Sequence, residues 1–372
     1  MATADFLVIG AGISGAAAAH ALAEHGSVIL LEAEAQPGYH STGRSAALFT
    51  PNFGTPLVRR INAAGRGFFE TPPEGFAEVP LLTPRGGLTL ATPGDEGRLD
   101  EVLAAGTARD PIHPIAAAEA LRLAPVMRPE LVGAAAWEPG VADMDVDAIH
   151  QGFLRGVKRR GGQIIVSAPV AALSRANGVW RVTAGGETHE APIVVDAAGA
   201  WGDEIARMAG ARPQRLQPKR RTAIVVEAPA GFAVGEMPLV EFVGHSPYLK
   251  PDGGRIMASL ADETPVEPQD VQPDDMDVAV LADWLERHTR ITIRTAPRAW
   301  AGLRSFVPDA DPVAGFDPEV EGFFWLIGQG GFGIMMAPTL GRIAAELATA
   351  RRLPADLVDL GIRAEDLAPR FG

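Results

Sequence analysis

One glycine-rich loop near the start of the chain restricts its fold more than any other feature. Gly10-Ala11-Gly12-Ile13-Ser14-Gly15 follows a short apolar run at residues 5–9 and opens an alanine-rich stretch at residues 13–25. A second apolar run, residues 28–31, ends at Glu32. Short apolar runs of this kind predict buried parallel strands, and the alanine-rich stretch predicts a helix. The pattern therefore predicts a β-α-β unit with its glycine loop between strand and helix.

The GxGxxG spacing of this loop indicates a dinucleotide site. The glycines permit a tight turn, close approach of the backbone to a pyrophosphate, and close packing of the helix on the strand. Unpaired N–H groups of the first helical turn point at the phosphates. Glu32 can accept hydrogen bonds from ribose hydroxyls and would repel a 2′-phosphate. A glycine turn without a ligand is the alternative. The candidate contacts are Gly10, Gly12, Ile13, Ser14, Gly15, Glu32 and Ala33.

Composition narrows the classes of function. The chain has 372 residues, a net charge of −13 and no cysteine. The acidic balance argues against a nucleic-acid partner, which would require a basic face. Without cysteine there are no disulfides, thiolate metal sites or cysteinyl-flavin bonds, and we expect a cytoplasmic protein. The histidines show no metal-ligand spacing. No apolar run approaches the roughly 20 residues of a spanning helix, so no integral membrane segment is expected and peripheral membrane contact stays open.

Two further segments favour FAD over NAD. Residues 40–47, HSTGRSAA, combine small residues, hydroxyls and one arginine. Such a strip can follow a pyrophosphate and an isoalloxazine ring, with Arg44 available to anionic oxygens. The N–H groups of residues 328–334, GQGGFGI, can stabilise negative charge on the N1–C2=O edge of a reduced flavin, whereas a nicotinamide has no such edge. A helix-capping turn is the alternative for this segment. The candidate contacts are Ser41, Thr42, Arg44, Ser45, Ala46, Ala47, Gly330, Gly331, Phe332, Gly333 and Ile334.

The remaining elements complete an α/β (α+β) fold. Alternating residues predict strands at 166–173 and 179–184, joined by the hairpin turn Asn177-Gly178. Apolar runs predict strands at 193–198 and 323–327, and helices are expected at 201–209 and about 337–350. The Pro- and Asp-rich residues 262–277 predict an exposed loop.

Two stretches richer in Pro and charge interrupt the α/β units and indicate two interleaved domains. We predict a discontinuous, Rossmann-like FAD-binding domain and a mainly antiparallel β-sheet substrate-binding domain. The first comprises residues 1–80, 140–215 and 300–372, and the second comprises residues 81–139 and 216–299.

The order of four motifs resembles that of the D-amino-acid oxidase superfamily of FAD enzymes. The motifs are VIGAGISG, GYHSTGRSAA, WAGLRSF and GQGGFGI. The chain looks closest to the D-arginine dehydrogenase type of the D-amino-acid dehydrogenase branch, over essentially its whole length. The resemblance implies a substrate sheet over an FAD that we expect to be noncovalent. It also implies oxidation of a D-amino acid to an imino acid, which hydrolyses to a 2-oxo acid and ammonia, with oxygen or a quinone as electron acceptor. Further expected cofactor contacts are Val170, Ala198, Gly199, Trp201, Gly302 and Arg304.

The resemblance also implies which residues bind the substrate. Arg304, in WAGLRSF, matches the family's carboxylate-binding arginine, and a guanidinium can hold a carboxylate with two parallel hydrogen bonds. Tyr248, in SPYLK, matches a tyrosine that adds a hydroxyl to the same carboxylate. Arg221 is a candidate second polar contact, and Gly331 is expected at the flavin edge. A salt bridge is the alternative for Arg304, and a solvated basic face is the alternative for Arg221. No general base is required, because a neutral amine can help expel the α-hydrogen as hydride to flavin N5.

Several positions depart from the branch. It can carry a polar ring residue at the position of Leu48 and a tyrosine at that of Phe53. Members that prefer basic substrates place a carboxylate on the strand that here reads Arg85-Gly86-Gly87-Leu88. Without a buried anion, a cationic side chain would lose its partner at a cost of roughly several kcal/mol. Together with Met335 and Met336, these departures predict an apolar pocket and a neutral, apolar D-amino acid as substrate.

Three other functions stay open. A related flavoenzyme could use the same arginine for a secondary or cyclic amino acid of the sarcosine or proline kind. A flavin-containing assembly or sensor protein would keep the fold without turnover. An NAD-dependent dehydrogenase is the most distant alternative.

Overall fold

The fold is built on a mostly parallel sheet assembled from distant parts of the chain. The computed structural model describes residues 2–295 and 297–371. The strands of Phe6–Ile9 and Val28–Leu31 are buried throughout, as expected for a parallel sheet covered on both faces. The sheet has six strands, in the order Gln163–Ile165, Val28–Leu31, Phe6–Ile9, Ile193–Asp196, Phe323–Ile327 and Val313–Phe316, of which the last is antiparallel to its neighbour.

The two faces of the parallel sheet have different covers. Helices, among them Ile13–Leu22 and Gly333–Thr349, pack against Phe6 and Val8 on one face. The other face packs on the helix Gly202–Ala209 and on a four-stranded sheet. That sheet has the order Ala2–Thr3, Glu187–Ala191, Val179–Ala184 and Val170–Ala176.

A larger sheet of nine strands is antiparallel except for one pair, Gly87–Ala91 with Leu239–Phe242. We call the face that carries Tyr248, Met257 and Trp300 its inner face, because these side chains pack with Ala46 of the strip 40–47. The outer face is covered by the helix Asp275–His288. At one edge, Arg298–Phe306 pairs with Gln217–Val226, which also pairs with both Thr264–Pro265 and Arg255–Ser259. After Arg255–Ser259 the order continues with Tyr248–Asp252, Leu239–Phe242, Gly87–Ala91, Ala134–Glu138 and His113–Ala116.

Smaller elements complete the described chain. A three-stranded sheet follows the strip 40–47 directly, and its strand order is Leu48–Phe49, Ala142–Met144 and Leu82–Pro84. The other helices are Pro56–Glu70, Leu99–Ala104, Ala117–Leu123, Val146–Arg159, Ala355–Asp359 and Ala364–Leu367, with 3₁₀ turns at Glu96–Arg98, Pro129–Leu131 and Gly199–Trp201. Among the residues described, no helix combines the length and the apolarity needed to cross a bilayer.

The predicted fold class is confirmed, with shifts at several boundaries. The helix predicted at about 337–350 begins at Gly333 instead, because it includes a glycine that was assigned to the turn before it. Asn177 and Gly178 both have positive φ, 51° and 80°, as a tight hairpin turn requires. Strand Arg298–Phe306 pairs along its length with Gln217–Val226, so the boundary predicted at residue 300 falls inside a strand of the large sheet. The division into two domains stays a prediction.

Candidate active site

A cavity of about 410 Å³ opens at the carboxyl ends of the parallel strands. This edge is where ligands bind in open α/β sheets. Most of the predicted cofactor contacts line the cavity, although they come from seven separate segments of the chain. They are Gly10, Gly12, Ile13, Ser14, Glu32, Ala33, Ser41, Thr42, Ser45, Val170, Ala198, Gly199, Trp201, Arg304, Gly330, Gly331, Gly333 and Ile334.

The glycine loop forms one wall of the cavity. Gly10 has a φ of +98°, and a Cβ there would lie 2.6 Å from the Ala197 carbonyl oxygen. Gly15 does not line the cavity; a Cβ at this position would lie 1.8 Å from the Gly10 carbonyl oxygen. Its role is therefore the close packing of helix on strand. Gly12 is the N-cap residue of the helix Ile13–Leu22 and has no side chain of its own over the first turn, so an anion can approach the start of the helix.

Glu32 and Thr42 hold the loop in place. The Glu32 carboxylate accepts hydrogen bonds from the Ala11 and Glu34 N–H groups, each at 2.9 Å. The Ile13 N–H donates to the Thr42 hydroxyl oxygen at 3.0 Å. Each Glu32 oxygen accepts one backbone hydrogen bond and keeps lone pairs for a further donor. The carboxylate therefore both shapes the turn and can bind a ribose.

Arg44 does not reach the cavity, contrary to the prediction that it serves anionic cofactor oxygens. Its guanidinium forms an ion pair with Asp270 and donates to the Val271 carbonyl oxygen at 2.9 Å. This contact fastens the strip 40–47 to the loop that follows residue 262. Ala46, Ala47, Gly302 and Phe332 also lie outside the cavity wall; a Cβ at Gly302 would lie 3.1 Å from Arg304 Nη1.

Arg304 lies where the large sheet meets the glycine segment 328–334. The Gly330 N–H donates to the Ser305 carbonyl oxygen at 2.9 Å, and a Cβ at Gly331 would lie 3.8 Å from Arg304 Cδ. Arg304 is buried, and within the described residues its guanidinium has no carboxylate at ion-pair distance; it donates only to the Leu303 carbonyl oxygen at 3.3 Å. Burial, and next the charge of Arg221, lower the Arg304 pKa to about 10. An uncompensated buried cation of this kind is suited to an anionic ligand.

Tyr248 and Arg221 lie close enough to Arg304 to shift its pKa, which Arg221 lowers and Tyr248 raises. Tyr248 is half-buried on the inner face. Arg221 already has partners, because Nε donates to the Asp262 carbonyl oxygen at 2.9 Å and Nη2 pairs with Glu263 at 3.3 Å. The structure therefore brings the predicted substrate contacts Arg304, Tyr248 and Arg221 close together. Of the two arginines, Arg221 has an ion-pair partner and Arg304 has none among the described residues.

The residues expected to make the substrate pocket apolar lie outside this cavity. Phe53 is 62% exposed and contacts the Phe332 ring at a centroid distance of 5.6 Å. Met335 and Met336 are buried in the helical core, and Leu48 pairs with Asp143 in the three-stranded sheet. None of these four residues lines the cavity, and the apolar character of the substrate pocket stays a prediction.

Sequence reasoning also missed several polar residues. Gln329 and His40 line the cavity, and the buried atoms Gln329 Nε2 and His40 Nδ1 have no hydrogen-bond partner in the part of the chain that the structure describes. Glu241 and Glu138 lie on strands adjacent to the one where a carboxylate was judged absent. No spacing signal in the sequence could have identified them, because sheet pairing alone brings them to the site.

These features fit FAD. The glycine cradle and the helix start suit a pyrophosphate, and Glu32 suits a ribose. Gln329 Nε2, in the segment expected at the flavin edge, is buried and has no hydrogen-bond partner among the described residues. The family model described as FAD dependent oxidoreductase (DAO) matches residues 5–347. The chain belongs to this family. FAD is accordingly its cofactor, and the predicted superfamily is confirmed.

Individual members of the FAD dependent oxidoreductase family show the extent of the likeness. Sarcosine dehydrogenase of Homo sapiens is 27% identical over 97% of this chain, which spans only 41% of that protein. Glycine oxidase of Bacillus licheniformis is 23% identical over 92% of each chain. The crystal structure of L-proline dehydrogenase from P. horikoshii superposes with a TM-score of 0.84 at 23% identity, covering 96% of each chain. At this identity, the structural match shows the fold.

Proposed function

We propose that this protein oxidises the C–N bond of an α-amino acid whose carboxylate is bound by Arg304. The buried guanidinium without an anion, placed between the large sheet and the segment 328–334, is the observation that supports this role. The relatives named sarcosine dehydrogenase, glycine oxidase and L-proline dehydrogenase act, by their names, on small amino acids with a carboxylate and an amine.

The proposed roles follow from the contacts. The glycine loop, Glu32 and Thr42 hold FAD, which when bound supplies the two-electron oxidant. Arg304 grips the carboxylate with parallel hydrogen bonds and fixes the orientation of the α-carbon. The Tyr248 hydroxyl adds a donor to the same carboxylate. Arg221, held by Asp262 and Glu263, adds positive charge nearby.

Two substrate classes are candidates. A primary D-amino acid is favoured by the motifs around Tyr248 and Arg304, which resemble the D-amino-acid dehydrogenase branch. A secondary amine is favoured by the relatives named for sarcosine and proline. Arg304 serves both, because each class carries the same carboxylate.

Anaerobic reduction of the purified holoprotein tests the proposal. The panel contains glycine, sarcosine and both enantiomers of alanine, leucine and proline, and bleaching of the flavin absorbance is followed by stopped flow. Reduction by D-alanine or D-leucine would identify the first class, and reduction by sarcosine or proline would identify the second. Admission of air afterwards shows whether oxygen reoxidises the flavin.

Replacement of Arg304 provides the mutational test. We expect Arg304→Met to lower the second-order rate constant of flavin reduction by about 100-fold or more, because a charge-assisted bidentate contact is lost. Arg298→Met, on an exposed position of the same strand, should leave the rate unchanged. FAD content is measured for each variant. A panel in which no amino acid reduces the flavin, or unchanged reduction of FAD-loaded Arg304→Met, would refute the proposal.

A further inference from the structure

A row of polar side chains crosses the inner face of the large sheet next to Tyr248. Thr89, Glu241 and Tyr248 are register partners on three adjacent strands. Directly paired residues point to the same face, and the Thr89 hydroxyl donates to Glu241 Oε1 at 3.2 Å. Glu138 is paired with Gly87, two residues from Thr89, so that its side chain lies on the same face.

This part of the inner face is a hollow rather than a packed core. Thr89, Glu241, Tyr248 and Glu138 are all partly exposed, although they lie on central strands of a nine-stranded sheet. Their neighbours Ala136 and Ser259 are buried. The helix Leu99–Ala104 packs on the same face at Ala91 and Ala136, and the partly exposed side chains next to that contact keep a space beside them. The hollow is therefore open to a ligand.

Some charged groups around the hollow form ion pairs and others do not. Lys250 pairs with Asp143 at 2.8 Å, and Asp143 is also paired with Arg85. Glu241 and Glu138 have no cation within ion-pair distance in residues 2–295 and 297–371; their side-chain partners are the Thr89 hydroxyl and the Asn52 amide, the latter at 2.8 Å. A cation without an anion, Arg304, thus lies at one end of the row, and two carboxyl groups without a cation lie beyond Tyr248.

We propose that Glu241, with Glu138 beside it, binds a positively charged second group of the substrate. This inference rests on the proposed function and deepens it. With the substrate carboxylate on Arg304, an ammonium or guanidinium on a flexible arm extends past Tyr248 to Glu241. Such a substrate gives all three groups an ion-pair partner at once, whereas an apolar side chain leaves two partly buried carboxyl groups without a cation.

Lysine and norleucine provide the matched pair that tests this inference, because they differ only in the terminal ammonium. Both enantiomers of each are used for anaerobic flavin reduction of the holoprotein. We expect the reducing enantiomer of lysine to react about 100-fold or more faster, per unit concentration, than its norleucine counterpart. Glu241→Gln should remove most of this preference by slowing lysine and leaving norleucine nearly unchanged. Glu227→Gln, at an exposed position beside the same sheet, is the control.

The pH profile supplies a second readout. Burial raises the Glu241 pKa, and burial together with nearby Glu241 and Asp110 raises the Glu138 pKa. The lysine-to-norleucine rate ratio should therefore rise with pH as these acids ionise, since both substrates share the same α-amine. Tyr248, Arg304 and the Lys250–Asp143 pair also face the hollow, and Glu241→Gln isolates the Glu241 contribution.

The possible failures are distinguishable. If norleucine reduces the wild-type flavin as fast as lysine, or if neither reacts while other amino acids do, the inference about Glu241 is wrong and the proposed function stands. If no amino acid reduces the flavin, both are wrong. The comparison in the wild-type protein needs no variant, so misfolding of Glu241→Gln cannot obscure the result.

Discussion

Whether a glycine of this chain can be replaced by alanine depends on the backbone atoms that an added Cβ would meet. Gly15 lies against the first strand, where an added Cβ would approach the Gly10 carbonyl oxygen to 1.8 Å. Gly67 lies in the helix Pro56–Glu70, is exposed, and has no atom within 4 Å of an added Cβ. The two positions therefore offer a matched pair for substitution.

We expect Gly15→Ala to destabilise the protein and to weaken FAD binding, because the helix must move away from the strand that holds the cradle. The expected loss is about 1–3 kcal/mol in free energy of unfolding. Gly67→Ala should instead stabilise by about 0.5–1 kcal/mol, since alanine costs less backbone entropy in a helix. Urea unfolding and FAD titration of both variants measure the effects. Equal stabilities for the two variants would contradict this account of Gly15.

Residue-level prediction from sequence succeeded where function depends on neighbours in the chain. The GxGxxG spacing is local, so the cradle around Gly10 and Gly12 was predictable. The partner of Arg44 was not, because Asp270 lies 226 positions away. Glu241 was missed for a similar reason, since only the pairing of its strand with Gly87–Ala91 brings it beside Thr89.

At the scale of elements, the contact between the helices Ile13–Leu22 and Val146–Arg159 depends on one histidine. A Cβ at Gly156 would lie 2.0 Å from His20 Nδ1, and the His20 ring meets Phe153 edge-on at a centroid distance of 5.4 Å. Burial, followed by the charge of Arg160, lowers the His20 pKa to about 4. The imidazole is therefore neutral in the folded protein near pH 7.

This neutral histidine predicts a loss of stability in acid. The unfolded chain takes up a proton near pH 6.5, whereas the folded chain does so only near pH 4. The contribution of neutral His20 to stability is therefore fully present above pH 6.5 and is lost as pH falls towards 4. The free energy of unfolding decreases by up to about 3 kcal/mol over this range. His20→Gln should flatten this part of the stability profile in chemical denaturation, and His25→Gln, at an exposed position, should not. An unchanged profile for His20→Gln would contradict the proposed cause.

Elements with a local signal were predicted well, and pairings between distant elements were not. The strands Val28–Leu31 and Phe323–Ile327 agree with their apolar runs. The pairing of Arg298–Phe306 with Gln217–Val226 had no sequence signature, because several other strands and a helix lie between the two partners in the chain and leave no fixed spacing.

At the scale of the whole molecule, the FAD site is formed by segments that lie far apart in the chain. The cavity wall draws on segments from Ile9 to Ile334. We expect FAD at about 100 times its Kd to add about 2.7 kcal/mol to the stability of the apoprotein, because it binds the folded state alone. Calorimetry of the apoprotein with FAD, and with NAD⁺ as the matched dinucleotide, measures this. Equal stabilisation by NAD⁺ would contradict the assignment of the cavity to FAD.

The hydrogen bond between Gly330 and Ser305 has a mechanical consequence. It connects the edge strand Arg298–Phe306 of the large sheet to the loop that follows the strand Phe323–Ile327 of the parallel sheet. Ser305 is the residue next to Arg304. A displacement of this strand would thus move Arg304 and Gly330 together. Substitutions on the more distant strands of the large sheet can therefore change the surroundings of Arg304 without disturbing this contact.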